Sequence, residues 1–296
     1  MKASVIIPTY RDWPRLQLCL AALAVQTLPA ADFEVIVVDN DAVATPPPLP
    51  PGVHYLHAPQ GWSYAARNAG AALAGGQVLA FTDADCQPAP QWLEAGLAAL
   101  AADPGWDLVG GRIDILSARD GTAARYEQLF EFRQQDLVAL GGYSVTANLF
   151  VRRAAFEQRG GFEGRLKSCG DSEFCQRLVR LGHRIGYADA ALVRHPARET
   201  LAEIFAKNRR IATGQYARVH RDASAGRRGL AAGLVQAWIP RPREWWYILA
   251  GGRGSEAFAP AQRLPVMALR AALHYHIAWC MLRSHLSNGR ADLDVR

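Results

Sequence analysis

The sequence predicts an α/β protein with a mainly parallel sheet covered by helices and a helical C-terminal extension, and three observations lead there. Short β-rich runs alternate with segments of helical periodicity through the first half. Of 296 residues, 50% are hydrophobic and 20% charged, the composition of a globular chain with room for one large domain or two modest ones. Charge is uneven: the chain carries +6 overall, but residues 197–296 hold 16 Lys/Arg against 7 Asp/Glu. This shift places a boundary near residue 200, between a catalytic-sized domain over 1–200 and a basic, aromatic-containing extension over 201–296.

Each element has its own signal. Ser4–Ile7 reads as the first strand. Asp12 is placed to cap the next helix, with Pro14 in its first turn and Leu16, Leu20, Leu23 and Thr27 at helical spacing. Glu34–Val38 is a β-branched run that delivers Asp39 to its C-terminal end. A proline-rich loop over residues 45–51 leads to a short strand at Val53–Leu56. A helix over Ser63–Ala74 is expected to end at a Gly75-Gly76 C-cap, followed by a strand at Gln77–Thr82. Pro88–Ala102 reads as a helix, Leu108–Leu116 as extended chain, Tyr143–Arg152 as a strand, Ser172–Leu181 as a helix and Arg184–Tyr187 as a short strand.

Five cysteines (Cys19, Cys86, Cys169, Cys175, Cys280) form no C-x-x-C pair, which argues against a disulfide framework or zinc ribbon and for a reducing, cytoplasmic setting. The apolar stretch before Pro8 is too short for a signal peptide, and no run of 18 uncharged apolar residues suits a membrane span.

Ligands of open α/β sheets bind beyond the carboxyl ends of the strands. Asp39, Asp83 and Asp85 fall at such ends. Two carboxylates at i, i+2 in a turn suit a hard divalent ion with phosphate oxygens, or else simply populate the turn. The context is more specific. Val5-Ile6-Ile7-Pro8-Thr9-Tyr10, Val35-Ile36-Val37-Val38-Asp39-Asn40, Ala66-Arg67-Asn68-Ala69-Gly70, Phe81-Thr82-Asp83-Ala84-Asp85, Gly160-Gly161-Phe162 and Gly170-Asp171-Ser172-Glu173 follow in an order that resembles the family-2 glycosyltransferases of the GT-A fold, over roughly residues 1–200.

That resemblance implies a GT-A-like, Rossmann-type nucleotide-binding sheet and a role for each matching residue. Pro8, Thr9 and Tyr10 would line the base, and Asp39 would accept a hydrogen bond from its ring N–H. UDP- or dTDP-linked donors are favoured, although guanine also offers N–H donors. Arg67 would approach the nucleotide. Asp83 would sit near ribose and metal, with Asp85 as principal ligand of Mg²⁺ or Mn²⁺ and His195 as a further ligand. Trp62, Tyr143 and Ser144–Asn148 resemble positions near the acceptor and donor sugar. Asp171 would be the general base. Read from the residues alone, Asp171 precedes Phe174, Leu178 and Leu181 on one helix face and suits an N-cap, while Glu173 and Arg177 form an i, i+4 ion pair. The resembling family often has Glu before this Asp, where this chain has Gly170. Among the histidines, His195 stands out by its Pro196 context; His54, His57 and His183 read as surface residues.

The expected function is an inverting, metal-dependent glycosyltransferase that moves a sugar from a nucleotide-diphosphate donor to a hydroxyl of a glycan or lipid-linked acceptor, in polysaccharide or glycolipid assembly. A nucleotidyltransferase and a non-catalytic nucleotide-sugar-binding module are the alternatives; the first lacks its Gly-rich phosphate loop and the second does not need Asp83, Asp85, Asp171 and His195 together. In the extension, Trp238, Trp245, Trp246 and Tyr247 lie among Arg241 and Arg243, after Arg209, Arg210, Arg218, Arg221, Arg227 and Arg228, and Leu264–Leu282 reads as an amphipathic helix. That mixture suits peripheral contact with an anionic membrane on its cytosolic face, or packing and a homodimer contact; no nucleic-acid motif accompanies the charge.

Overall fold

A computed structural model describes residues 1–44, 46–221, 234–252 and 255–287, without the side chains of Arg218, Val219 and Arg221. Thr45, Arg227 and Arg228 of the sequence reading lie outside the described residues. The chain forms two compact units. The first takes in Met1–Asp114, Phe132–Leu166 and Gly170–Pro196; the second takes in Ile115–Glu131, Lys167–Cys169 and Ala197–Arg296.

The first unit is built on an eight-stranded sheet in the order β3-β2-β1-β4-β7-β6-β8-β5. β1 (Ala3–Thr9), β2 (Phe33–Asp39), β3 (Val53–His57) and β4 (Val78–Thr82) run parallel to one another. Beyond β4 the expected parallel pattern stops. β7 (Asn148–Arg152) is antiparallel to β4, β6 (Trp106–Leu116) is antiparallel to β7, and β5 (Gln87–Pro88) is antiparallel to β8 (Arg184–Pro196). All seven residues of β1 are buried, as expected of a central strand covered on both faces. Helix α1 (Trp13–Ala24) buries Leu16, Cys19, Leu20 and Leu23, and α2 (Ser63–Leu73) packs on β1 and β2. α2 lies so close that a Cβ on Gly70 would fall 2.7 Å from the Ile6 side chain. One core runs through Ile6, Ile36, Phe81, Leu149 and Phe174.

Several local expectations give way to tertiary constraints. Asp12 stands at the N-cap of α1 but makes no capping bond; Arg15 takes its carboxylate at 3.4 Å. Thr27 lies past the end of α1, its hydroxyl donating to Glu94. Gly75 and Gly76 do not form a left-handed C-cap, because α2 ends at Ala74 in extended conformation. Gly76 is needed instead for close approach, since its Cβ would meet the Ala3 carbonyl carbon at 2.5 Å. Helix α3 (Trp92–Ala102) starts four residues after Pro88, which joins β5. Only the second half of Tyr143–Arg152 is strand, and Ser144 and Asn148 are fully buried braces joined through Gln134. β8 extends through Pro196, so His195 sits on a strand and not in a loop.

In the second unit, α4 (Thr122–Phe130), the Leu201–Arg221 helix and the Pro260–Leu286 helix share a core of Ala123, Tyr126, Leu129, Ile204, Val266, Leu269 and Leu273. Fully buried Glu127 accepts from Arg198 at 3.1 Å and faces Lys207, which also pairs with Glu131. Arg270 pairs with Glu244 at 3.2 Å and lies over the Phe130 ring. A short helix, Pro242–Leu249, leaves Trp246 71% and Tyr247 56% exposed, and Trp279 on the long helix is 55% exposed. Among the described residues no helix is long and apolar enough to cross a membrane.

Candidate active site

β1, β2 and β4 are parallel, so their last residues reach one edge together; Thr9 lies in register with Asp39, and Ile6 with Phe81. The chain winds from β1 outward to β2 and β3, then returns across β1 to β4. Such a reversal of strand order opens a crevice at the carboxyl edge. Tyr10, Asp39, Asp83 and Asp85 are carried to that edge.

Thr9 is buried, Pro8 precedes it within β1, and Tyr10 is 45% exposed just past the strand. Arg11 takes a left-handed backbone (φ 56°), pairs with Asp41 at 2.7 Å and stands near the Tyr10 ring. That ion pair holds the Asp41 carboxyl below the usual range. Asp39 is fully buried; its Oδ1 accepts the Asp41 N–H at 2.9 Å and its Oδ2 accepts the Tyr55 hydroxyl at 3.0 Å. Burial and Asp39 push the Tyr55 phenol up to about 12, so it stays a donor. Two donors fix the orientation of the carboxylate while leaving acceptor capacity for a ligand N–H.

Arg67 is not on a solvated helix face. It is 3% exposed, lies over the Tyr64 ring at 5.5 Å and pairs with Asp83. Asp83 therefore has a fixed counter-ion in Arg67. Asp85 turns the other way, with Oδ2 3.6 Å from His195 Nε2. The Pro196 carbonyl, which can only accept, lies 2.7 Å from His195 Nδ1, so Nδ1 carries a proton and aims Nε2 at Asp85. Phe132 packs on the imidazole, its ring centroid 4.6 Å away. An imidazole oriented by a backbone carbonyl and set opposite a carboxylate is a donor set that fits a divalent ion. Cys86 Sγ is within 4.8 Å of these ligand atoms, but burial and the charges of Asp83 and Asp85 push its thiol up, and it faces the Ala147 carbonyl. A protonated thiol is a poor ligand.

Asp171 is the second residue of the Gly170–Arg180 helix, inside the first turn and not at the cap. Its Oδ1 accepts the Ser172 N–H at 2.8 Å. Burial raises its pKa; the Ser172 N–H, Arg67 and Tyr64 oppose that rise, and Asp83 adds to it. The expected Glu173–Arg177 pair forms at 3.0 Å. Gly170 is explained by Tyr64: a Cβ there would fall 2.6 Å from ring carbons. Of the histidines read as surface residues, His183 is paired with Asp107 at 2.9 Å and His57 reaches the Asp41 carbonyl.

Tyr55 and Tyr64 were not singled out as site residues in the sequence. Tyr64 had a signal, its i, i+3 position before Arg67 on α2. Tyr55 had none, because its link to Asp39 exists only once β3 pairs with β2.

Residues 4–160 match the family described as Glycosyl transferase family 2. The chain is 34% identical over 250 residues to glycosyltransferase AglE of Haloferax volcanii, covering 81% of this chain and 82% of that protein. The chain belongs to glycosyl transferase family 2. It is also 33% identical over 184 residues to the pre-mycofactocin glycosyltransferase of Mycobacterium tuberculosis, covering 59% of this chain and 39% of that one. Among solved structures, the mannosyltransferase PcManGT from Pyrobaculum calidifontis, in complex with GDP-Man and Mn²⁺, aligns with a TM-score of 0.56 at 18% identity, over 99% of this chain and 75% of that chain. S. aureus TarS 1–349 in complex with UDP aligns with a TM-score of 0.53 at 17% identity, over 97% and 92% of the two chains. The fold is thus of the GT-A type, and the chain is a family-2 glycosyltransferase.

Proposed function

We propose that this family-2 glycosyltransferase transfers its sugar by a single inverting displacement in which Asp171 is the base. The observation that carries the reading is the environment of Asp171. Its carboxyl is raised by burial, which makes it a stronger base, while Arg67 and the first turn of its own helix keep the anion available. The acceptor hydroxyl attacks the anomeric carbon as Asp171 takes its proton. The new C–O bond forms while the bond from that carbon to the diphosphate oxygen breaks, and the electron pair leaves with the nucleoside diphosphate.

Asp39, with Thr9 and Tyr10, would hold the base. Its orientation by Tyr55 and the Asp41 N–H supports recognition of a ring N–H, as in a UDP- or dTDP-linked donor. Thr9 Oγ1 and Arg67 Nε are buried without a protein partner among the described residues, which favours a ligand that supplies acceptors there. Asp85 and His195 would hold Mn²⁺ or Mg²⁺, which supplies charge stabilisation to a leaving diphosphate.

The second unit supports peripheral contact with an anionic membrane surface, where a lipid-linked acceptor would be presented. Arg241, Arg243 and Arg270, with Glu244 and Tyr247, line an open hollow of about 640 Å³ on the helices that expose Trp246 and Trp279. Aromatic rings beside arginines suit a headgroup layer.

The test is a screen of nucleotide sugars with Mn²⁺ for thermal stabilisation, then NMR of the product anomer and turnover of Asp171→Asn. Inversion with turnover reduced about 10²–10⁴-fold is expected. Retention of configuration, or normal turnover in the variant, refutes the assignment.

A further inference from the structure

We infer that Tyr55, through its hydroxyl bond to Asp39, is the positioning residue that restricts the donor to nucleotides whose base offers a ring N–H. The inference rests on the reading of Asp39 as the acceptor for the nucleobase and names what makes that acceptor selective. β3 forms one edge of the sheet, beside β2. Its register sets Tyr55 opposite Val37 and His57 opposite Asp39. Tyr55 and His57 stand two residues apart and therefore share a face of the strand. Both reach the chain at the end of β2: the Tyr55 hydroxyl donates to Asp39 Oδ2 at 3.0 Å, and His57 Nε2 lies 2.9 Å from the Asp41 carbonyl. That carbonyl can only accept, so Nε2 is the donor. One edge strand thus holds both ends of the short turn that carries the acceptor.

Asp39 is fully buried, yet among the described residues it has no ion-pair partner, because Arg11 gives its guanidinium to Asp41. Its two oxygens meet neutral donors instead, Oδ1 the Asp41 N–H at 2.9 Å and Oδ2 the Tyr55 hydroxyl. A carboxylate has about four lone-pair sites, so acceptor capacity remains for a ligand. One donor on each oxygen stops the carboxylate from turning about its Cβ–Cγ bond and fixes where the unused lone pairs point. The Asp41 N–H belongs to the turn itself; the Tyr55 bond is what a second strand adds. Burial and Asp39 push the Tyr55 phenol up to about 12, so it remains a donor. An acceptor that cannot turn away rewards uracil, thymine or guanine, each of which carries a ring N–H on its pairing edge. Cytosine and adenine carry an unprotonated ring nitrogen there, and lone pair would face lone pair.

Tyr55→Phe keeps the ring and removes the hydroxyl, which frees Asp39 to turn. The test measures the affinity of the full chain for UDP and for CDP, each with Mn²⁺, by isothermal titration calorimetry. The wild type is expected to bind UDP about 10–100-fold more tightly than CDP, the scale of one hydrogen bond to a charged group. Tyr55→Phe should cut that preference by about fivefold or more, through weaker UDP binding and not through weaker CDP binding. A loss of packing alone would weaken both nucleotides alike, so the ratio does not respond to a merely structural role. With a UDP-linked donor that turns over, KM should rise severalfold at unchanged kcat, because the base is held alike in the ground and transition states. A preference in Tyr55→Phe equal to that of the wild type overturns the inference, as does a loss in kcat at unchanged KM. A wild type that binds UDP no better than CDP instead removes the Asp39 reading beneath it, so the two failures are distinct.

Discussion

Replacing Arg67 by Met removes a buried cation at nearly constant side-chain length. Arg67 is 3% exposed and is the counter-ion of Asp83, whose side chain is 32% exposed. Breaking a fully buried pair by removing one partner costs about 3–5 kcal/mol, whereas an exposed pair is worth about 0.2–1 kcal/mol. Asp83 lies between these limits, because water still reaches its carboxylate. A loss of about 1–2 kcal/mol follows, or roughly 2–8 °C in melting temperature for a unit of this size. The double variant Arg67→Met/Asp83→Asn removes both charges and should recover at least half of that loss, because the orphaned carboxylate is what costs stability. Turnover should not recover with it, since the guanidinium that we propose meets the nucleotide is still gone. Differential scanning fluorimetry of the four-member cycle, beside turnover on one donor, reads both quantities. A double variant no more stable than Arg67→Met would refute this account of the pair.

Four further outcomes are expected. Asp85→Asn should abolish the Mn²⁺-dependent part of nucleotide-sugar affinity in calorimetric titration while leaving any metal-independent binding, because Asp85 and His195 are the convergent donors. The proton-binding state of Asp171 sets a stability slope: its folded pKa is raised, so the native state holds the proton longer than the unfolded one. Its contribution is therefore lost as pH rises through the interval from the unfolded value to the raised one, and thermal scans of Asp171→Asn against the wild type should show the variant gaining relative stability across that window. Gly76→Ala should destabilise by about 1–3 kcal/mol in denaturant titration, since its Cβ would overlap the β1 backbone. Trp246→Ala with Trp279→Ala should weaken co-sedimentation with anionic vesicles several-fold, and high salt should weaken the wild type too; binding insensitive to both would point to packing or dimerisation.

The parallel strands, the helix before Gly75 and the amphipathic helix near the C-terminus were legible in the sequence, because each depends on local periodicity and burial that its own residues encode. So was the placement of Asp39, Asp83 and Asp85 at strand ends, which are sequence-local features; Asp171 and His195 were singled out through the family resemblance, and that His195 lies on a strand was not legible. The antiparallel half of the sheet was not legible. Strand direction depends on where the chain returns in space, and the run of residues in β7 or β8 reads the same in either direction.

The pairings within the site lay further out of reach. Asp83 and Arg67 are 16 residues apart, Tyr55 and Asp39 the same, and Gly170 and Tyr64 more than a hundred. The sequence by itself determined which chemical groups this protein brings to the edge of its sheet. Only the tertiary structure decided which of them face each other: that Asp83 pairs with Arg67, that Asp85 is left to His195, and that Gly170 makes room for Tyr64. Periodicity is a property of neighbours along the chain, whereas charge pairing and steric exclusion act between elements that meet only when the core closes.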